Sequence, residues 1–255
     1  MPFTVSHVAA ALPLRRLNLV WSAFVVGSMA PDFTYIVGTA EHRSVGHQFP
    51  GVIEFTLPVS LFVLWVFHAA IKRPVVTLLP SGMQQRLRGQ LGQFKFGGPA
   101  RFMAILFSLA LGIATHVVWD AFTHPFSWPW ERWVWLQRWV QVPLLGRMPM
   151  YMALQWASSV IGLVALGVWV LLWYRNTAPQ PAVGAAKANS GPWIALTMIA
   201  VATAVALVRA WLVIGIPKSL HRTDAFLLVF GVTGIALVFW QVLIYCVMIS
   251  SHQTW

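Results

Sequence analysis

Acidic residues are scarce in this chain: its 255 residues include six Asp plus Glu, where ordinary usage would give roughly 30. Charged residues of both signs make up 9% and hydrophobic ones 58%, with a mean hydropathy of +0.71. So little charge excludes a soluble domain and points to an integral membrane protein. Cysteine is nearly missing too. The single Cys246 excludes an intramolecular disulfide and a thiolate metal cluster. The start, Met1 to His7, lacks the basic region of a secretory signal peptide, so no cleavage is expected.

Basic residues are plentiful by contrast, and the formal net charge is +11. They lie beside apolar runs and form no dense patch, so they read as topology signals and anchors for anionic lipid headgroups, with no nucleic-acid partner. Five runs are long enough to cross a hydrocarbon core about 30 Å thick as helices: residues 51–71, 102–122, 154–174, 193–216 and 225–249. Two shorter runs, residues 3–12 and 19–29, flank Pro13 to Arg16. Each reaches about half a bilayer as a helix, which predicts a short helical hairpin, unless the second run extends past Pro31 into a sixth span. The expected fold is therefore all-α, a polytopic helical membrane protein with five or six transmembrane helices.

Residues 72–101 hold six Lys or Arg and no acid, the strongest positive-inside signal in the chain, which puts them in the cytoplasm. The stretch after the second run carries Trp128, Trp130, Trp133, Trp135 and Trp139 together with Arg132 and Arg138. Trp interleaved with Arg suits a helix in the headgroup layer; aromatic core packing is the alternative. Four parts are expected: a metal-site membrane domain over residues 1–150, a third span over 151–174, a flexible linker over 175–192 and a C-terminal helical pair over 193–255.

Polar residues inside this apolar chain carry the chemistry. His116, Asp120 and His124 are spaced i, i+4, i+8 and would form one stripe on a helix. A carboxylate in the membrane costs on the order of 3 kcal/mol and needs a partner. Ligation of a Zn or Mn ion by carboxylate and imidazoles is one solution; a His–Asp bond that only packs helices is the other. A second group, Asp32, His42 and His47, precedes the first long run. Five residues apart, His42 and His47 converge only where a loop enters a helix; Gly46 and Pro50 make that reasonable. With residues 72–101 inside, both groups reach the outer membrane face. They offer ligands for one closed ion or for two ions with open positions. Glu54, one turn into its span, is a candidate ligand or proton acceptor.

Ser6-His7, Pro31-Asp32, His42 to His47 and His116-x-x-x-Asp120-x-x-Thr123, in this order, resemble the YdjM-like bacterial inner-membrane proteins predicted to be metal-dependent hydrolases. Met1 to His7 and Gly27 to Phe33 are closer still to the domain-of-unknown-function family 4184. The resemblance covers about residues 1–130. It implies that His7, Asp32, His42, His47, His116 and Asp120 ligate the metal, in a bacterial inner membrane. The HxxxD element is also similar to that of zinc-dependent phospholipases C, which implies a phosphoester substrate. The function expected is a membrane-embedded metallohydrolase using Asp120, Asp32 and Glu54, acting on a lipid or lipid-linked phosphoester. A non-enzymatic scaffold or ion carrier is the alternative.

Overall fold

The structure is a computed structural model that describes residues 4–34, 46–143, 145–180, 190–217 and 220–252. The chain opens with two short 3-10 helices, Thr4–Ala11 and Pro13–Arg16, followed by helix α1, Trp21–Met29, which runs into a 3-10 turn, Ala30–Asp32. Nine residues of α-helix reach about 14 Å, less than half a bilayer. Among the described residues the N-terminal region forms short helices, and none there is long and apolar enough to add a sixth span.

Five helices among the described residues are long and apolar enough to cross a membrane. The first, α2, covers Val52–Thr77 and includes two π-helical segments, Val52–Thr56 and Phe67–Ile71. After the short α3, Ser81–Leu87, comes α4, Pro99–Thr123. Beyond the Trp-rich region lie α6, Met150–Asn176, α7, Gly191–Ile214, and α8, Leu220–His252. All five agree with the apolar runs to within a few residues at each end.

The Trp-rich region departs from a single helix. A five-residue helix α5, Trp128–Arg132, and a 3-10 turn, Val134–Gln137, lead into a hairpin of β1, Trp139–Val142, and β2, Gly146–Pro149. The strands pair antiparallel, with Trp139 opposite Pro149 and Val142 opposite Gly146. The alternating Trp-Val-Gln-Val has the period and β-branching of a strand, and Gly146 takes a positive φ of 83° where the hairpin turns. Aromatic core packing does not hold for most of the Trp residues here: Trp128, Trp133, Trp135 and Trp139 are all exposed, Trp128 by 69%.

The chain divides into two compact units. In one, formed within residues 1–34, 39–64 and 95–173, α1 lies along α4 at very short range. A Cβ on Gly27 would run into the Leu109 carbonyl, and one on Gly112 into the Phe24 carbonyl and the Ser28 N–H. Without a solvent-driven hydrophobic effect between helices, such small residues let backbones approach and dispersion forces accumulate. Ser108 reinforces the contact: its Oγ accepts from the N–H of Val20, the N-cap of α1, at 2.9 Å. Gly162 of α6 meets Ser6 of the first 3-10 helix in the same way. In the other unit, whose described residues fall within 65–94 and 174–252, Ala202, Ala206 and Ala210 of α7 are buried where α7 packs on α8. Arg209 donates to Thr233 Oγ1 at 2.8 Å, and the Thr77 and Tyr245 hydroxyls pair at 2.7 Å.

Gly27→Ala and Gly112→Ala should each lower the thermal midpoint in detergent, by the equivalent of about 1–3 kcal/mol for an overpacked contact. Gly167→Ala, where an added Cβ meets nothing within 4 Å, should leave it unchanged. Equal midpoints for all three variants would contradict the close α1–α4 contact.

Candidate metal centre

The close α1–α4 contact decides what His116 can do. Ser28 lies in the last turn of α1, where carbonyls lack helical partners, and Pro31, three residues on, has no N–H to offer. The His116 ring, fully buried on α4, fills the gap: its Nδ1 lies 2.7 Å from the Ser28 carbonyl. A carbonyl only accepts, so Nδ1 carries a proton, and in the neutral ring Nε2 presents its lone pair away from α1.

That lone pair meets three other groups. His47 Nε2 is 3.3 Å from His116 Nε2, Asp32 Oδ1 is 3.7 Å from it, and Asp120 Oδ2, one helical turn on, is 3.6 Å away. His47 Nε2 is in turn 3.6 Å from Asp32 Oδ1 and 3.3 Å from Asp120 Oδ2. Asp32, His47, His116 and Asp120 thus bring one ligand atom each into a group within 4.8 Å. Bonds of about 2.0–2.1 Å set tetrahedral ligand atoms about 3.3–3.4 Å apart, close to the spacing found here. The donor set fits a divalent ion: two imidazoles, at least one with its tautomer fixed, and two carboxylates.

Local chemistry holds each ligand in place. Asp32 turns Oδ1 to the group because Oδ2 accepts a 2.6 Å bond from the Thr4 hydroxyl. His47 is placed by Gly46, whose bare Cα sits against the Pro31 carbonyl, where a Cβ could not fit. Thr56, fully buried at the start of α2, ties down the same turn by donating to the Gly46 carbonyl at 3.2 Å.

Two further histidines surround Asp120. The His7 ring stacks on His116 at 3.8 Å between centroids, with Nε2 3.5 Å from Asp120 Oδ1 and without a hydrogen bond. His124 does not continue the i, i+4, i+8 stripe. Pro125 forces the residue before it out of helical conformation, so α4 stops at Thr123 and His124 is extended, at φ −131° and ψ 147°. From there its Nδ1 faces the Asp120 carbonyl at 3.1 Å, Thr123 Oγ1 at 3.3 Å and Asp120 Oδ2 at 3.6 Å. It flanks Asp120 and stands outside the four-residue group.

Of the other sequence candidates, Glu54 is on the exposed side of α2 and takes no part in the group. His42 lies outside the described residues. Thr4 and the Ser28 carbonyl were not anticipated. Thr4 had a signal, since it precedes His7 by three residues, one turn of a 3-10 helix, which puts both on one face.

The family described as Domain of unknown function (DUF4184) matches residues 1–247. The chain belongs to this family. No curated protein and no solved structure matches it.

Purified protein should bind one or more divalent ions, and His116→Ala or Asp120→Ala should abolish stoichiometric binding. Thr4→Val removes only the hydroxyl that orients Asp32 and should weaken affinity by about 10–100-fold. Affinity should also fall as pH is lowered, because imidazoles and carboxylates ligate when deprotonated. Metal analysis and competitive titration check all three; unchanged metal content in His116→Ala would contradict the site.

Proposed function

We propose that this protein is a membrane-embedded metal-dependent hydrolase acting on a lipid or lipid-linked phosphoester at the outer face of a bacterial inner membrane. The observation that carries the reading is the convergence of Asp32, His47, His116 and Asp120 at metal-ligand spacing where apolar helices begin and end. When bound, a divalent ion, Zn or Mn, supplies Lewis acidity and lowers the pKa of a water molecule to about 7.

The chain's own groups do the rest. His116 Nε2 and His47 Nε2 would hold the ion, and the Ser28 carbonyl keeps the His116 ring from turning. Asp32 is restrained through Oδ2 by Thr4, so its Oδ1 orients with little reorganisation. Asp120 faces four imidazoles and is divided between them: Oδ2 is turned to His47, His116 and His124, and Oδ1 to His7. His7 Nε2 can therefore act on whatever Asp120 Oδ1 holds, either as ligand to a second ion or as a hydrogen-bonding partner of the phosphoryl group. The exposed Trp residues and Arg132, Arg138 and Arg147 along the neighbouring segment suit a headgroup layer, with rings at the interface and guanidiniums for phosphate.

A second reading has an observation in its favour: four protein ligands close a tetrahedral shell, as in structural zinc sites. In that case the ion joins the hairpin to α4 without turnover. An assay on lipid phosphoesters in mixed micelles separates the two. Hydrolysis should require added Zn or Mn and fall more than about 100-fold in Asp120→Asn, beyond the effect of an outer contact. Stoichiometric, slowly exchanging metal with no hydrolysis of any lipid phosphoester would favour the structural ion.

Sidedness has its own test. In a Cys246→Ser background, Trp128→Cys should react in intact cells with a membrane-impermeant maleimide, and Lys95→Cys should react only after lysis. The opposite pattern would put the site on the cytoplasmic face.

A further inference from the structure

Two phenylalanines close in sequence to histidines of the candidate centre leave nearly their whole rings in the open: Phe49 and Phe126 are each 81% exposed. Phe49 follows His47 by two residues and lies just before the first apolar turn of α2. Phe126 follows His124 by two residues, three past the end of α4. A single exposed Phe needs no explanation. Phe126, however, has a φ of 61°, and among the described residues no other non-glycine is positive. A bulky L-residue rarely occupies that region, because Cβ crowds the neighbouring carbonyl.

The turn is nevertheless held from both sides. Ser127 Oγ donates to the carbonyls of Ala121 and His124 and accepts from the Trp130 N–H. The Phe126 ring then stands 5.2 Å from Trp130, tilted by 52°. A backbone fixed in a disfavoured conformation, whose outcome is a ring directed away from the core beside a buried polar site, is the kind of outlier that marks function.

We propose that Phe126, together with Phe49, forms an apolar rim that receives the hydrocarbon chain of the substrate, so that the substrate is a phosphoester bearing a long alkyl or prenyl chain drawn from the bilayer, not a soluble phosphoester. The inference rests on the metal-dependent hydrolase reading for the phosphate end of that substrate. In the chain, Phe49 stands between His47 and α2, and Phe126 two residues past His124 at the end of α4. A molecule with its phosphate at the metal ligands and its chain returning to the bilayer would cross them. Each methylene fully buried against such a rim is worth up to about fourfold in affinity.

The test uses butyl, octyl and dodecyl phosphonate, which carry the phosphoryl group and cannot be hydrolysed at an ester bond. Binding is measured by calorimetry to zinc-loaded protein in phosphatidylcholine nanodiscs. Partition of the ligands into the bilayer is the same for every variant, so the comparison between variants isolates the rim. Wild-type affinity should rise with chain length. Phe126→Gly and Phe49→Ala should flatten that rise by at least about tenfold at dodecyl phosphonate, with butyl phosphonate binding and metal content unchanged. Phe126→Gly should also unfold at the wild-type temperature or above, since glycine accepts the positive φ; Phe126→Ala, which keeps the strain, should not gain. A chain-length dependence unaltered in the double variant Phe126→Gly, Phe49→Ala, with butyl phosphonate still bound, would overturn the rim and spare the hydrolase reading. Absence of any metal-dependent phosphonate binding in the wild type would overturn both.

Discussion

The hydrogen bond from His116 Nδ1 to the Ser28 carbonyl, 2.7 Å long, joins the packing of this protein to its chemistry. It exists because Gly27 and Gly112 let α1 and α4 approach to backbone contact, and because the carbonyl it uses is orphaned by the end of α1 and by Pro31. It fixes the imidazole tautomer, which aims Nε2 at Asp32, His47 and Asp120. Without the glycine contact the helices stand apart, the ring turns freely and the ligand group loses its centre. The N-terminal half-length helices thus serve the site more than the bilayer: they wrap its ligands and bring Asp32 and His7 to the end of α4.

Energetics point the same way. Asp32 and Asp120 are buried beside apolar spans, where an unpaired carboxylate is costly, and imidazoles face both of them. A cation at the common point of the four-residue group is one way to compensate the two carboxylates.

Much of this was legible in the sequence, in proportion to how local the determinant is. The five spans follow from run length, and the His116–Asp120 pair follows from helical periodicity. Asp32 and His47 could be nominated as candidates because they recur with histidine in the same half of the chain, but their convergence depends on Gly46 against the Pro31 carbonyl, a tertiary contact with no period. His124 leaves the stripe because of Pro125, since an X-Pro step ends a helix. In the Trp-rich region composition masks the weaker alternation that makes β1 and β2. Thr4 was overlooked because a 3-10 turn, unlike an α-helical one, brings residues three apart into register. Glu54 was nominated by depth alone, and depth does not tell which side of a helix a residue takes.

The central claim is that Asp32, His47, His116 and Asp120 converge on one ion, and X-ray absorption spectroscopy of the zinc-loaded protein tests it most directly. Expected is a shell of about four nitrogen and oxygen ligands at about 2.0–2.1 Å, with the outer-shell scattering of two imidazoles, one of which disappears in His47→Ala. A spectrum of hydrated zinc without imidazole scattering, or one that His47→Ala leaves unchanged, would contradict it.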